Sequence, residues 1–496
     1  MLLDNLQSLN FFLPELILTV GILAVVIADI SFRSLRQLLN PVLVLTTLVL
    51  AAVYTFRIDS AAEASLFHGM LALDSFTQFF RLLLLLASIL VVLASLHSEE
   101  LKAVHQGEFL ALLLAVTLGM LLLAGSSNLA MLFLSLELVS LTSYIMVGYL
   151  RNDRLSNEAS MKYILFGAVA SGSMLYGFSL IYGMTGSLNL YAIRDALVGG
   201  AGQGFNQFTL LLVLILSMAG FGFKTAAVPF HFWCPDVYTG APTPVTAFLS
   251  VAPKAAGFAI LVRFFFSGMA QPSGQEWGIT TGINWSLILI VVSVLTMTLG
   301  NIAALSQTNL KRMLAYSSIA HAGYILMGAV ALTGEGLKSM LVYLFVYLFM
   351  NLGAFLVVTI IYNSEKTFDV NDYAGMFKRS PFLVIAMGVF MLSLTGIPPF
   401  AGFLGKLYVF GSVIDKGLYW FAVVGAVNAA VAAYYYMRVM RAMILEDGNG
   451  NETPLRMSLL NQALLVTLLI PNVILIVFWN PIDQWTASSV RLFTGM

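Results

Sequence analysis

Charge and cysteine are what this chain has least of. Only 10% of its 496 residues are Asp, Glu, Lys or Arg, against about 25% in an average soluble domain, so a soluble fold is excluded. The formal net charge is zero. Nothing therefore offers the basic face that a nucleic-acid partner would need. One cysteine, Cys234, excludes a disulfide framework within the chain and any Cys-ligated zinc or iron-sulfur site built by this chain alone. Also missing are a P-loop, a GxGxxG after a strand, an HExxH and an EF-hand loop. The five histidines are scattered at positions 68, 97, 105, 231 and 321 and do not support a haem pair. No redox centre, cofactor or metal is expected on this chain.

What the sequence has in abundance is long apolar runs, with 59% apolar residues and a mean hydropathy of +0.91. A bilayer core about 30 Å thick takes roughly 20 apolar residues per helical crossing. Fourteen stretches qualify, at about 11–30, 38–56, 75–96, 108–125, 128–150, 160–183, 207–230, 243–267, 284–305, 312–332, 337–362, 382–413, 417–441 and 459–480. A transmembrane barrel would show ten-residue alternation instead. The fold class expected is therefore an all-α polytopic membrane protein, whose longest gaps, 57–74 and 184–206, are too short for a soluble domain. The first stretch is not expected to be a cleaved signal, because no Lys or Arg precedes Arg33 and Glu15 sits early in the run. Loops after odd-numbered helices carry thirteen Lys or Arg, the other loops and the tail five. Both termini are thus expected on the outer side of the membrane.

Self-comparison shows an internal repeat. Ser143–Gly148 (SYIMVG) resembles Gly323–Gly328 (GYILMG), Ser160-Met161 matches Ser339-Met340, Pro229-Phe230 aligns with Pro399-Phe400, and Lys254-Ala-Ala aligns with Asn428-Ala-Ala. The matches keep chain order at offsets of 170 to 180 residues. The unit is five helices, and two copies of an odd unit enter the membrane from opposite sides, as in inverted-repeat transporters. The division expected is a three-helix segment (1–107), a first repeat of helices 4–8 (108–267), an inverted second repeat of helices 9–13 (284–441), and a last helix and tail (459–496). Helices 7 and 12 carry prolines at Pro229 and Pro398-Pro399. Proline removes a backbone donor, so both helices should be broken and their freed carbonyls met by protein or water.

Six basic residues fall inside the apolar stretches: Arg81, Lys162, Lys224, Lys254, Arg263 and Lys406. Arg81, Lys162 and Arg263 lie near helix ends and are read as snorkelling to the interface. Lys224, Lys254 and Lys406 lie deeper, as does Glu137 among the acids. A charge at that depth costs at least about 2.5–3.5 kcal/mol. Polar residues share faces with them: Glu137, Ser140 and Tyr144; Thr246, Ser250 and Lys254; Ser317, His321 and Tyr324; Tyr343, Tyr347 and Asn351. Such stripes can simply pack helices, but four of them beside buried lysines favour a wet conduit. Burial and a nearby carboxylate act oppositely on a lysine, so a small movement can load or unload its proton. His231 and His321 could relay; for His231 an orienting hydrogen bond is an equal reading.

At these residues the chain resembles the antiporter-like membrane subunits of proton-translocating NADH:quinone oxidoreductase (respiratory complex I), and among them the subunit N branch. The resemblance is carried by Val228–Ala256 (VPFHFWCPDVYTGAPTPVTAFLSVAPKAA), Gly396–Lys406 (GIPPFAGFLGK) and Ala433–Arg438 (AYYYMR). It implies a Glu on helix 5 paired with a Lys on helix 7, a central Lys on helix 8 and a terminal Lys on helix 12, matching Glu137, Lys224, Lys254 and Lys406. It also implies that Lys162 modulates the Glu137 pair. Homologous antiporter-like neighbours, a peripheral arm with FMN and iron-sulfur clusters in partner subunits, and a bacterial inner membrane follow from the same likeness. A subunit of a multi-subunit sodium/proton antiporter, a subunit of a ferredoxin-dependent photosynthetic relative and a structural scaffold are the alternatives.

Overall fold

The computed structural model describes residues 3–58, 63–102, 106–200, 205–274, 276–448, 453–455 and 457–492; His105 and the loop residue Arg456 lie outside them. Its helices are α1 (Leu13–Ser31), α2 (Arg36–Arg57), α3 (Ser75–Ser95), α4 (Gln106–Gly125), α5 (Leu129–Val147), α6 (Arg154–Thr185), α7a (Gln207–Thr225), α7b (Trp233–Gly240), α8 (Thr243–Val262), α9 (Trp285–Leu305), α10 (Leu310–Val330), α11 (Gly334–Glu365), α12a (Pro381–Thr395), α12b (Ala401–Asp415), α13 (Tyr419–Leu445) and α14 (Leu459–Ile474). Among the described residues twelve helices are long and apolar enough to cross a membrane, and α12a and α14 are shorter apolar helices. With α12a and α12b counted as one broken crossing, the fourteen expected stretches are all helical. The two longest gaps are not featureless. The first holds a hairpin of Ala64–Leu66 against Leu71–Leu73, the second a helix at Leu190–Gly200.

The two five-helix blocks repeat their packing partner by partner. In the first, α4 packs on α5, α5 on α6, both halves of α7 on α6, and α8 on α4 and α7a; α9 to α13 reproduce these contacts in the same order. Loop details repeat too. Leu129 N donates to Leu188 O (2.8 Å) and Leu190 N to Ser127 O (3.0 Å), while Leu310 N donates to Phe368 O (2.8 Å) and Val370 N to Thr308 O (3.0 Å). The entry helices α5 and α10 are capped by equivalent asparagines, Asn128 and Asn309. Because each block has five crossings, the blocks run in opposite senses through the membrane.

Both proline segments interrupt their helices as the backbone chemistry requires. α7a ends in left-handed Ala226 and α12a in left-handed Gly396, at φ of +57° and +83°. Ala227 N then bonds back to Gly222 O and Ile397 N to Leu392 O. The freed carbonyls find protein donors: Trp233 Nε1 reaches Phe223 O at 3.1 Å, and the Lys406 ammonium takes two on the α12a side. α8, α10 and α11 form the seam between the blocks and are buried along nearly their whole length. Cys234 sits in this core, fully buried, against α10.

Two basic residues read as snorkelling are internal instead. Arg263, fully buried, holds Asp74 with both guanidinium nitrogens at 2.6 Å and Thr77 Oγ1 at 2.5 Å. Arg81 pairs with Glu15 at 2.7 Å, both buried. Each guanidinium has a carboxylate from another part of the chain to neutralise it, so burial replaces exposure to the interface. These pairs tie α3 to the end of α8 and to α1. Lys311, which precedes the 312–332 stretch and so reads as a loop residue, is likewise buried in the first turn of α10.

Candidate functional site: a line of buried lysines

Lys224 occupies the last turn of α7a, where its stem packs against α8 at Gly257; a Cβ there would stand 3.1 Å from Lys224 Cβ. Its ammonium donates to Ser140 Oγ at 3.0 Å. Glu137, the expected partner, stands one turn before Ser140 on α5 and is half-buried; the hydrogen bond that the Lys224 ammonium makes is to the serine. Tyr144, one turn further, lies against Tyr163 with ring centres 4.7 Å apart. Gly167 on α6 gives it room, since a Cβ there would fall 1.8 Å from the Tyr144 hydroxyl.

Lys162 lies apart from this group. It bonds Asp236 Oδ2 at 2.6 Å and Glu158 at 2.9 Å, and Arg312 takes the other Asp236 oxygen at 2.7 Å. The reason is the break in α7: the chain re-enters helix at Trp233 and carries Asp236 to α6 and α10. Lys162 thus fastens α7b to α6. His231, in the same break, is buried with Nδ1 lacking a hydrogen-bond partner and its ring 4.5 Å from that of Phe232.

Lys254 stands at the seam. Its ammonium donates to Ser318 O at 2.8 Å and Ser318 Oγ at 2.5 Å. Behind it on α8, Ser250 Oγ accepts from Asn351 Nδ2 at 2.5 Å. Ser317, beside Ser318, meets the Tyr436 hydroxyl. Tyr436 reaches His321 Nε2 at 3.1 Å, and His321 Nδ1 lies 2.9 Å from the Tyr343 hydroxyl. The predicted faces of α8, α10 and α11 thus face one another at the seam in short hydrogen-bonded sets, one of which includes Tyr436 of α13.

Lys406 is the far end. It donates to Leu394 O at 3.2 Å and Thr395 O at 2.6 Å, the carbonyls released by the α12 break, and its ammonium lies 4.8 Å from the Tyr324 ring centre. Tyr324 accepts from Asn301, which Tyr435 also reaches at 3.0 Å. Lys224, Lys254 and Lys406 are each buried and each bonded to neutral oxygens. Ser318, Tyr436, Asn301 and Asp236 escaped the sequence reading. Tyr436 and Asp236 lay inside the quoted motifs, and Asn301 was a lone amide in an apolar helix. Ser318 gave no signal of its own. Among the described residues no three His, Cys, Asp or Glu side chains gather as a metal-ligand set.

Two five-helix blocks of opposite sense, broken at matching prolines around buried lysines, define an antiporter-like polytopic membrane subunit. Residues 126–432 match the family described as NADH:quinone oxidoreductase/Mrp antiporter, transmembrane. NADH-quinone oxidoreductase subunit N of Anaeromyxobacter sp. (strain Fw109-5) is 43% identical over 99% of this chain and 98% of its own; subunit N 2 of Chloroherpeton thalassium is 41% identical over 97% and 94%. A chain of respiratory complex I from Thermus thermophilus with bound Aureothin superposes with a TM-score of 0.79 at 32% identity, covering 96% of this chain and 99% of that one. The Mrp complex from Dietzia sp. DQ12-45-1b shares the fold at 20% identity, TM-score 0.80, over 97% of each chain. The chain belongs to the NADH-quinone oxidoreductase subunit N family.

Proposed function

We propose that this chain is a proton-translocating subunit of the membrane arm of an NADH:quinone oxidoreductase, coupled to quinone reduction elsewhere in the complex. Glu137, Lys224, Lys254 and Lys406 exchange protons; His321 relays between the last two; His231 and Lys162 position the α7 break. The observation that carries the reading is the set of three buried lysines with neutral acceptors, with buried hydroxyl, imidazole and amide side chains around the last two. A scaffold would have no use for three such ammonium groups, since each costs several kcal/mol to bury.

FMN and iron-sulfur clusters belong to partner subunits, and homologous antiporter-like subunits adjoin this one within the bacterial inner membrane. The excess of Lys and Arg in the loops after odd-numbered helices supports an inward orientation of that face, with both termini outward. The boundaries 1–107, 108–267, 284–441 and 459–496 describe the working units.

The test uses the fully assembled complex in vesicles, with Lys254→Met and Lys406→Met. Methionine keeps an apolar stem and holds no proton. Quinone reductase activity and proton uptake should both fall. Near-normal values for both variants would make the lysines structural and sink the reading. Sodium-dependent uptake unaffected by quinone would instead support the antiporter alternative.

A further inference from the structure

Lys311 is a buried cation that the path above does not use. It sits in the first turn of α10, 1% exposed. Its ammonium donates to Ala241 O at 2.6 Å and lies 4.5 Å from the centre of the Phe368 ring. None of the ion pairs among the described residues includes it. A helix N-terminus carries partial positive charge, so a lysine there, dry and without a carboxylate in contact, is badly placed as a structural cation.

Its surroundings lead toward Lys254. Lys311 and Ser318 share a face of α10, seven residues apart, and Ser318 is the acceptor of the Lys254 ammonium. Ala241 closes α7b, and its carbonyl also lies 3.5 Å from Thr246 Oγ1. Thr246 begins the α8 face that continues through Ser250 to Lys254. Beside it, Thr243 Oγ1 is fully buried without a hydrogen-bond partner. Toward the loop surface, half-buried Glu100 accepts from Thr243 N at 2.8 Å. Glu100 and Asp153 are the carboxylates whose charge acts on Lys311. Both belong to loops after odd-numbered helices.

We propose that Lys311 is a fourth proton-exchanging lysine, standing at the mouth of the path and passing protons between the Glu100 surface and Lys254 along the hydroxyls of Thr243, Thr246 and Ser250. This rests on the proton-path reading above. In each passage one N–H bond of the ammonium breaks and its proton moves inward, leaving a neutral amine. A proton arriving from the Glu100 side restores the ammonium, and no electrons change hands.

The obvious rival is that Lys311 only anchors the Ala241 carbonyl, and two substitutions separate the cases. Lys311→Arg keeps the charge and the donors but holds its proton at any accessible pH; Lys311→Gln keeps a neutral donor. The assay is proton uptake and quinone reductase activity of assembled complex in vesicles, with Lys254→Met alongside. The expected result is a loss of at least about tenfold in both activities for both Lys311 variants. Normal activity of assembled Lys311→Arg beside an impaired Lys254→Met would overturn the proposal and leave the proton path standing. If arginine prevents assembly, Lys311→Gln decides alone, normal uptake overturning the proposal. Normal activity of Lys254→Met would instead remove the path on which it rests.

Discussion

Lys224 reaches Ser140: the ammonium donates to the serine hydroxyl at 3.0 Å, and Glu137 precedes that serine by one helical turn on α5. The Glu137 charge acts on Lys224 through space. Lys224→Met and Glu137→Gln should each cut proton uptake in assembled complex. Lys224→Arg should fail too, because arginine keeps its proton. Ser140→Ala removes one charge-assisted hydrogen bond, about 1.5–3 kcal/mol, and should give a milder defect than either. Uptake rates in vesicles rank the four variants; Ser140→Ala as severe as Lys224→Met would show that the hydroxyl itself carries the proton.

The Arg263–Asp74 pair makes a prediction about stability. Removing one partner of a buried pair costs about 3–5 kcal/mol, because the other charge is left dry and alone, whereas an apolar replacement of both is often neutral. Asp74→Asn and Arg263→Met should each lower the thermal midpoint of the purified complex or its yield. Arg263→Met combined with Asp74→Leu should recover much of the loss, as a double-mutant cycle by thermal unfolding would reveal.

Gly396 is required twice over. Its φ of +83° lies in the left-handed region, and a Cβ would stand 2.6 Å from Lys406 Cδ. The left-handed backbone alone costs a non-glycine residue about 1–2 kcal/mol, and the clash would drive Lys406 off the Leu394 and Thr395 carbonyls. Gly396→Ala should impair pumping in complex that still assembles. Gly411→Ala, on α12b with nothing within 4 Å of its Cβ, should be silent in the same assay.

Asp483 gives a pH dependence at the C-terminal helix Asn480–Ser488. Burial pushes its carboxyl up, but the Tyr408 hydroxyl at 2.6 Å and the Lys338 ammonium at 2.9 Å outweigh this and hold it below the usual aspartate range. The folded value is lowered, so the contact contributes fully above the unfolded value of about 3.9 and is lost as pH falls through the folded one. Acidification should loosen this helix from α11 and α12b, and Asp483→Asn should abolish that response. Quenching of Trp479 fluorescence, whose indole donates to Tyr408 at 2.6 Å, reads the change.

Much of this was legible in one dimension. Fourteen crossings follow from apolar run length, and both helix breaks follow from proline chemistry at Pro229 and Pro398-Pro399. Lys224, Lys254 and Lys406 stood out because a charge inside an apolar run is rare. Lys311 escaped because it lies at the edge of its run, where sequence reads a loop. Arg81 and Arg263 were misjudged for a related reason: closeness to a helix end suggests escape to the interface, and only the fold brings Glu15 and Asp74 to meet them.

The sequence by itself determined which segments cross the membrane, that five crossings are followed by five more of opposite sense, and which titratable groups lie deep. These are local properties, because hydrophobic run length and backbone donors are counted along one stretch of chain. Only the tertiary structure decided which oxygens those lysines touch. Ser140 for Lys224, Ser318 for Lys254 and the Leu394 and Thr395 carbonyls for Lys406 were settled by how helices rotate and close on one another. The same is true of Lys162, which the α7 break turns toward Asp236. Hydrogen bonds reach about 3 Å, and a helix rotated by one residue presents a different side chain, so partners across the bundle are fixed by packing and not by spacing.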